Sequence, residues 1–163
     1  VPVFAGTGAE TTREAIRITK IAEKEGANGV SVITPYFISP NQQEIHDHYK
    51  RIAESTSLPV LLYNNPVTCG GLKIDPDTVG KLSRIKNIVG IKDSSGDLQN
   101  TIEYLRNVPD TFAIPRKLDA IALVIITGSV PVAIAWRKVM SDSAKLPSIT
   151  LSATSNPVVS IRP

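Results

Sequence analysis

The sequence predicts an α/β fold assembled from parallel βαβ units, and three observations lead there. Short apolar strands start near residues 1, 29, 58 and 87, a period of about 29 residues. Between them lie segments whose apolar residues recur at helical spacing. Each strand also ends in a loop that contains glycine or proline before the next helix begins. Such punctuation is expected of consecutive right-handed crossovers, which suit a barrel or a doubly wound sheet.

Taken in order, residues 1–5 (Val-Pro-Val-Phe-Ala) read as a buried strand and residues 6–9 as a turn. A helix is predicted over residues 11–25, where Thr11 and Glu14 have the spacing of a capping box. Its apolar stripe is Ala15, Ile18, Ile21 and Ala22, and Gly26 ends it. A second strand covers residues 29–34, and a loop covers 35–40. The next helix spans 41–56, with its stripe at Ile45, Tyr49, Ile52 and Ala53. The third strand is residues 58–63 and its loop 64–74. Asp75 followed by Pro76 marks a helix start, an N-cap with proline at the first helical position. That helix runs to about Ile85. A fourth strand covers 87–91. The loop 93–97 leads into a helix that ends near Arg106, and residues 111–114 suit a fifth strand. Ser94, Ser95 and Asp97 read as helix-capping residues.

The rhythm breaks after about Ile114. Residues 120–126 and 130–136 are apolar with no amphipathic helix between them. Residues 141–163 hold six serines and three prolines, a composition of loop or weak strand. The expected division is therefore residues 1–114 as βα units and residues 115–163 as a divergent tail.

Composition excludes several function classes. The chain has 163 residues and a mass of 17.5 kDa, short of the roughly 250 residues of a complete (β/α)₈ barrel. Its longest apolar run is seven residues, against about twenty for a membrane span. One cysteine, Cys69, rules out an internal disulfide framework and suits a reducing cytoplasm. No signal peptide is legible at the start. Residues 1–112 carry a net charge of −1, so the excess positive charge lies in the tail. The tail has one aromatic, Trp136, and scattered charges, which argues against a nucleic-acid surface. His46 and His48 are two apart on a helix, face apart and make a poor metal pair; both are expected to be solvated. Cys69 has no nearby partner and reads as incidental. Gly6-Thr7-Gly8 lacks the third glycine of a dinucleotide fingerprint and the Gly-Lys-Ser/Thr of a P-loop.

Two loops follow strand C-terminal ends, the edge that hosts active sites in parallel α/β folds. In the first, Tyr63 closes a strand and Pro66 fixes the turn beyond it. Taken alone, Tyr63 equally suits a strand-end tyrosine with its hydroxyl in a polar rim. In the second, Lys92 ends an apolar strand; alone it equally suits a lysine reaching for solvent. The pair carries more information. Tyr63 and Lys92 are 29 residues apart, one βα unit, at the same ends of strands about 4.8 Å apart. Tyr63 shares a strand face with Leu61, and Lys92 shares one with Gly90 and Ile88. If both faces point inward, a phenol meets an amine. An amine freed by desolvation attacks a carbonyl to give a carbinolamine and then an imine, while a phenol shuttles protons.

Four motifs occur in order at matching spacing: Val3-Phe4-Ala5-Gly6-Thr7-Gly8, Thr34-Pro35-Tyr36-Phe37, Tyr63-Asn64-Asn65-Pro66, and Gly90-Ile91-Lys92-Asp93-Ser94-Ser95-Gly96-Asp97. Over roughly residues 1–112 the chain resembles the dihydrodipicolinate synthase / N-acetylneuraminate lyase family of class I pyruvate aldolases. The resemblance implies a partial (β/α)₈ TIM barrel of about four to five βα units with an irregular tail. It implies Lys92 as the Schiff-base lysine for pyruvate or another 2-oxo acid, and Tyr63 as the proton relay. Tyr36, Asn64 and Thr68, on the matched loops, are the expected substrate-binding residues. It further implies an aldehyde as second substrate, no metal or diffusible cofactor, a cytoplasmic location and a homo-oligomer. The family's two strands before the Gly-Thr-Gly strand are expected to be missing here. One of them carries a carboxylate-binding Gly-Thr-Thr-Gly-Glu segment. Phe37 stands where the synthases place a second tyrosine. Thr68 stands where they carry an arginine for the aldehyde's carboxylate. Both differences favour a relative that acts on another 2-oxo acid. The alternative expectation is a catalytically inactive barrel fragment that self-associates.

Overall fold

A computed structural model of the chain describes residues 2–114 throughout and, beyond them, the backbone of four strands. The first 114 residues hold four consecutive βα units: β1 Val3–Gly6, α1 Thr12–Lys24, β2 Gly29–Ile33, α2 Gln42–Glu54, β3 Val60–Asn64, α3 Pro76–Leu82, β4 Ile88–Asp93 and α4 Leu98–Asn107. Strands β1 to β4 are parallel and adjacent in chain order. Right-handed βαβ crossovers between neighbouring strands build this arrangement, which is a segment of a (β/α)₈ barrel.

Local sequence sets each helix start. The Thr11 hydroxyl accepts the Glu14 N–H at 3.3 Å, but the reciprocal half of the expected capping box does not form. The Glu14 carboxylate is instead occupied by the Arg17 guanidinium, at 2.9 and 2.7 Å. The complete box occurs on α2, where Asn41 Oδ1 accepts the Glu44 N–H and Glu44 Oε2 accepts the Asn41 N–H. Asp75 precedes α3 with Pro76 in its first turn, but its side chain makes no capping bond. Asp97 does cap α4, accepting the Asn100 N–H. At the other end of α1, Gly26 has φ +81°, the left-handed conformation that a C-terminal stop requires.

One face of the sheet packs on the helices. Ala5, Val30, Val32, Val60, Leu62 and Ile91 meet Ala15, Ile18, Ala22, Ile45, Ile52, Val79 and Leu82 in one core. Two tyrosines are buried there with their hydroxyls satisfied. Tyr49 donates to the Val32 carbonyl at 3.1 Å and Tyr104 to the Ile74 carbonyl at 2.6 Å. Register places the opposite face in rows. Gly6, Ser31, Leu61 and Gly90 lie side by side, and beyond them Ile33, Tyr63 and Lys92. Layered rows of this kind line a barrel interior.

One expectation about this face is corrected. Ile88 does not share a face with Gly90 and Lys92. Val60 pairs with Ile88 and the next residue, Leu61, pairs with Gly90. The irregularity leaves Val89 without a partner on β3, so Ile88 turns into the helix-side core beside Val60.

The fifth strand is a single bridge. Ala113 donates to the Val89 carbonyl and accepts the Ile91 N–H, both at 2.9 Å, beside Gly90. A Cβ on Gly90 would collide with the Ala113 carbonyl oxygen, so the approach requires glycine. The apolar runs of the tail form strands: β5 Ala122–Thr127 and β6 Val130–Ile134, an antiparallel pair. β5 pairs in parallel with β1, giving the sheet order β4-β3-β2-β1-β5-β6. β7 Ile149–Leu151 and β8 Val159–Ile161 form a separate antiparallel pair within the segment read as loop or weak strand. Trp136 lies outside the described residues. Among the described residues no helix is long and apolar enough to cross a membrane.

Candidate active site

The C-terminal ends of β2, β3 and β4 gather the chemistry-bearing residues. Tyr63 and Lys92 are register partners on adjacent parallel strands. The Lys92 Nζ sits 3.9 Å from the centroid of the Tyr63 ring, within range of a cation–π contact. Both side chains are half-buried. The Tyr63 hydroxyl accepts a hydrogen bond from Asn65 Nδ2 at 3.1 Å, and among the described residues its own proton has no acceptor. Phenol and amine thus share one face at one strand end, as their 29-residue spacing requires of barrel neighbours.

Asn64 points the other way. It is fully buried, and both ends of its amide are engaged. Oδ1 accepts the Ile74 N–H at 3.1 Å, and Nδ2 donates to Asp93 Oδ1 at 2.9 Å. These bonds place Asn64 between the loop and β4. Thr68 is exposed, on a loop whose turns run from Asn65 to Leu72, and its hydroxyl donates to the Asn65 carbonyl at 3.3 Å. Tyr36 is half-buried on the β2–α2 loop. Burial, and then the nearby Glu10 carboxylate, raise its phenol above the ordinary value. The structure records no hydrogen bond from Tyr36 or Thr68 to the Tyr63–Lys92 pair.

Asp93 is the residue that sequence reasoning passed over. Its carboxylate takes hydrogen bonds from Asn64, the Ser95 N–H, Thr101 and Asn100. Burial alone would push its carboxyl up, but the bonds from Asn64, Ser95 and Thr101 outweigh it and hold the group below the usual aspartate value. A signal was present: Asn64 and Asp93 are also 29 residues apart. Asn65 had no such signal, since its contact is with a neighbour two residues away.

Two other expectations change. His48 is not solvated; it is 5% exposed, with Nδ1 2.9 Å from the Thr12 hydroxyl and its ring edge-on to Tyr49. Burial lowers its pKa to about 4. The period-two separation does turn His46 elsewhere, where it meets Asp47 at 3.2 Å. Cys69 is also buried, its thiol directed at the Thr34 carbonyl at 3.6 Å, which ties the β2 and β3 loops together.

Comparison with known proteins finds relatives with the same fold. The chain is 43% identical over 127 residues to the 4-hydroxy-tetrahydrodipicolinate synthase of Syntrophus aciditrophicus, covering 78% of this chain and 43% of that protein. It is 41% identical over 125 residues to the enzyme of the same name from Pseudomonas aeruginosa, covering 76% and 42%. Among solved structures, the synthase from Methylacidiphilum fumariolicum SolV superposes with a TM-score of 0.68 at 45% identity, covering 70% of this chain and 38% of that one. Dihydrodipicolinate synthase from Bacillus anthracis gives 0.68 and 45%, covering 70% and 39%. The chain therefore spans about two-fifths of the length of these relatives. The family match runs past residue 112, the approximate limit of the resemblance read from the sequence, and takes in β5 and β6. With residues 1–135 matching its sequence model, the chain belongs to the dihydrodipicolinate synthetase family.

Proposed function

We propose that the chain carries the imine-forming half of a pyruvate-dependent lyase site, with Lys92 as the nucleophile and Tyr63 as the proton relay. The observation that carries this reading is the stacking of the Lys92 amine on the Tyr63 ring at 3.9 Å, at the C-terminal edge of parallel strands. Loss of one proton frees the nitrogen lone pair to attack the C2 carbonyl of pyruvate or another 2-oxo acid. The carbonyl oxygen takes up two protons, one passed from the attacking nitrogen and one supplied through Tyr63, and leaves as water, giving a protonated imine. Removal of a C3 proton gives an enamine, which adds to an aldehyde or is released from one by the reverse step. Tyr63 supports the proton transfers because Asn65 donates to its oxygen and, among the described residues, its O–H has no acceptor. Tyr36 and Thr68, on the neighbouring loops, are proposed to meet substrate at the rim. Residues 1–114 are proposed to be the unit that bears the site, in a cytoplasmic protein that needs no cofactor for this step.

The rim also supports self-association. Phe37 is 97% exposed and Val67 is 82% exposed, on loops joined through Cys69 and Thr34. Large apolar side chains exposed near one another mark interaction surfaces.

Exchange of the pyruvate methyl protons with solvent deuterium, followed by proton NMR, tests the catalytic reading. Enamine formation predicts exchange in the native chain, none in Lys92→Ala, and slow exchange in Tyr63→Phe. Equal exchange in Lys92→Ala and the native chain overturns it.

A further inference from the structure

We propose that Asp93 is a positioning residue for the Lys92 amine, acting through the strand register and resting on the Schiff-base reading above. Lys92 and Asp93 are the last two residues of β4 and lie on opposite faces of the strand. On its face Asp93 gathers four donors. Oδ1 accepts Asn64 Nδ2 at 2.9 Å and the Ser95 N–H at 3.0 Å. Oδ2 accepts the Thr101 hydroxyl at 2.9 Å and Asn100 Nδ2 at 3.5 Å. These donors come from the end of β3, from the β4–α4 loop and from the first turns of α4. Two acceptor atoms are needed to take all four, which a carboxylate supplies and a carboxamide does not.

The clamp sits at the end of β4 remote from the irregularity in its pairing. β4 already departs from regular pairing at Val89, so its register is not fixed from its N-terminal end. At its C-terminal end the Asn64–Asp93 side-chain bond joins the same two residues that are paired on the backbone, and the Ser94 N–H donates to the Asn64 carbonyl at 2.8 Å. One register position back are Tyr63 and Lys92. A slip of one residue would turn Lys92 to the helix side and remove the amine from the ring. Because Asp93 is held ionised, its bonds are charge-assisted and stronger than neutral ones.

The test uses the full chain and three variants: Asp93→Ala, Asn64→Asp, and the exchange N64D/D93N. Asn64→Asp sets two carboxylates against each other; the exchange restores one carboxylate and one amide across the strands. The first readout is borohydride trapping of pyruvate on Lys92, measured as a maximal rate and a half-saturating concentration. Misplacing a reacting group by about an ångström lowers the maximal rate by up to about a hundredfold, so Asp93→Ala and Asn64→Asp should fall by about ten- to a hundredfold. The half-saturating concentration should change little, and the exchange should improve on Asn64→Asp by restoring the pair across the strands without reaching the native rate, because a carboxamide at position 93 cannot take all four donors. A second readout needs no pyruvate: acetylation of Lys92 relative to the exposed Lys20 and Lys81, read by peptide mass. Release from the ring should raise the relative labelling of Lys92 about two- to fivefold in Asp93→Ala. A folded Asp93→Ala chain with native trapping rate, or with native relative labelling, overturns the proposal. If native protein traps no pyruvate, the Schiff-base reading fails by itself, and the labelling still decides the role of Asp93. If Asp93→Ala does not fold, failure of the exchange to improve on Asn64→Asp in labelling overturns the proposal.

Discussion

Tyr63 and Lys92 meet because the residues that follow them, Asn64 and Asp93, are bonded across the same two strands. In the proposed site the hydroxyl and the ring of Tyr63 would have separable roles. Tyr63→Phe keeps the ring under the amine and removes the proton donor. Imine formation at Lys92 should persist while deuterium exchange at the pyruvate methyl slows by about 10² to 10⁴, the usual effect of deleting a proton-transfer group. Exchange at the native rate in Tyr63→Phe would leave the phenol without a role. His48 sets a second, unrelated prediction. It is buried and neutral in the folded chain, with its pKa near 4, whereas the unfolded chain takes up a proton near 6.5. The unfolded state then binds more protons between these values, so stability is full above about pH 6.5 and falls as pH drops toward 4. The loss is on the order of 3 kcal/mol across that window. Thermal melts of His48→Gln should show a shallower decline over the same range than the native chain; parallel declines would contradict the assignment.

At the scale of elements, the helices and strands of residues 2–114 were legible because each signal was local. The stripe of Ile45, Tyr49, Ile52 and Ala53 is buried as the spacing required. Gly26 ends α1 because only a residue at ease with positive φ fits there. Capping was less legible, since a spacing does not reveal a competitor: Arg17 takes the carboxylate that would have closed the box on α1. The box on α2 has none, and Asn41→Ala should lower stability by about 1 kcal/mol in a urea titration. The irregularity at Val89 was illegible for a different reason, because unbroken alternation is the default reading of a strand and nothing in Ile88-Val89-Gly90 signals its failure. Gly90 was readable only as a small residue in a strand. The structure shows it as the point where the Ala113 backbone closes on β4. Gly90→Ala should lower stability by about 1–3 kcal/mol through overpacking, and should raise amide exchange at Ala113. A change within error in both would mean that the segment gives way freely.

For the whole molecule, four parallel units in chain order form a barrel segment with one face packed on helices and the other carrying the Tyr63 row. β5 extends this sheet at its β1 edge, which periodicity did not anticipate because a strand pairing across that distance leaves no repeat in the sequence. Phe37 combines near-complete exposure with φ 77°, a strained conformation for an aromatic residue. A self-associating rim predicts that sedimentation velocity finds a species larger than 17.5 kDa, and that Phe37→Ser with Val67→Ser shifts it toward the monomer. A native chain that sediments as a monomer at all concentrations would contradict the rim assignment.

The central claim is that the Lys92 amine forms an imine with a 2-oxo acid. Incubation with pyruvate and borohydride, followed by intact and peptide mass measurement, tests it most directly. One reduced pyruvate adduct per chain is expected, on the peptide that contains Lys92 and absent from Lys92→Ala. Folded protein that gains no adduct, or gains it on another lysine, would contradict it.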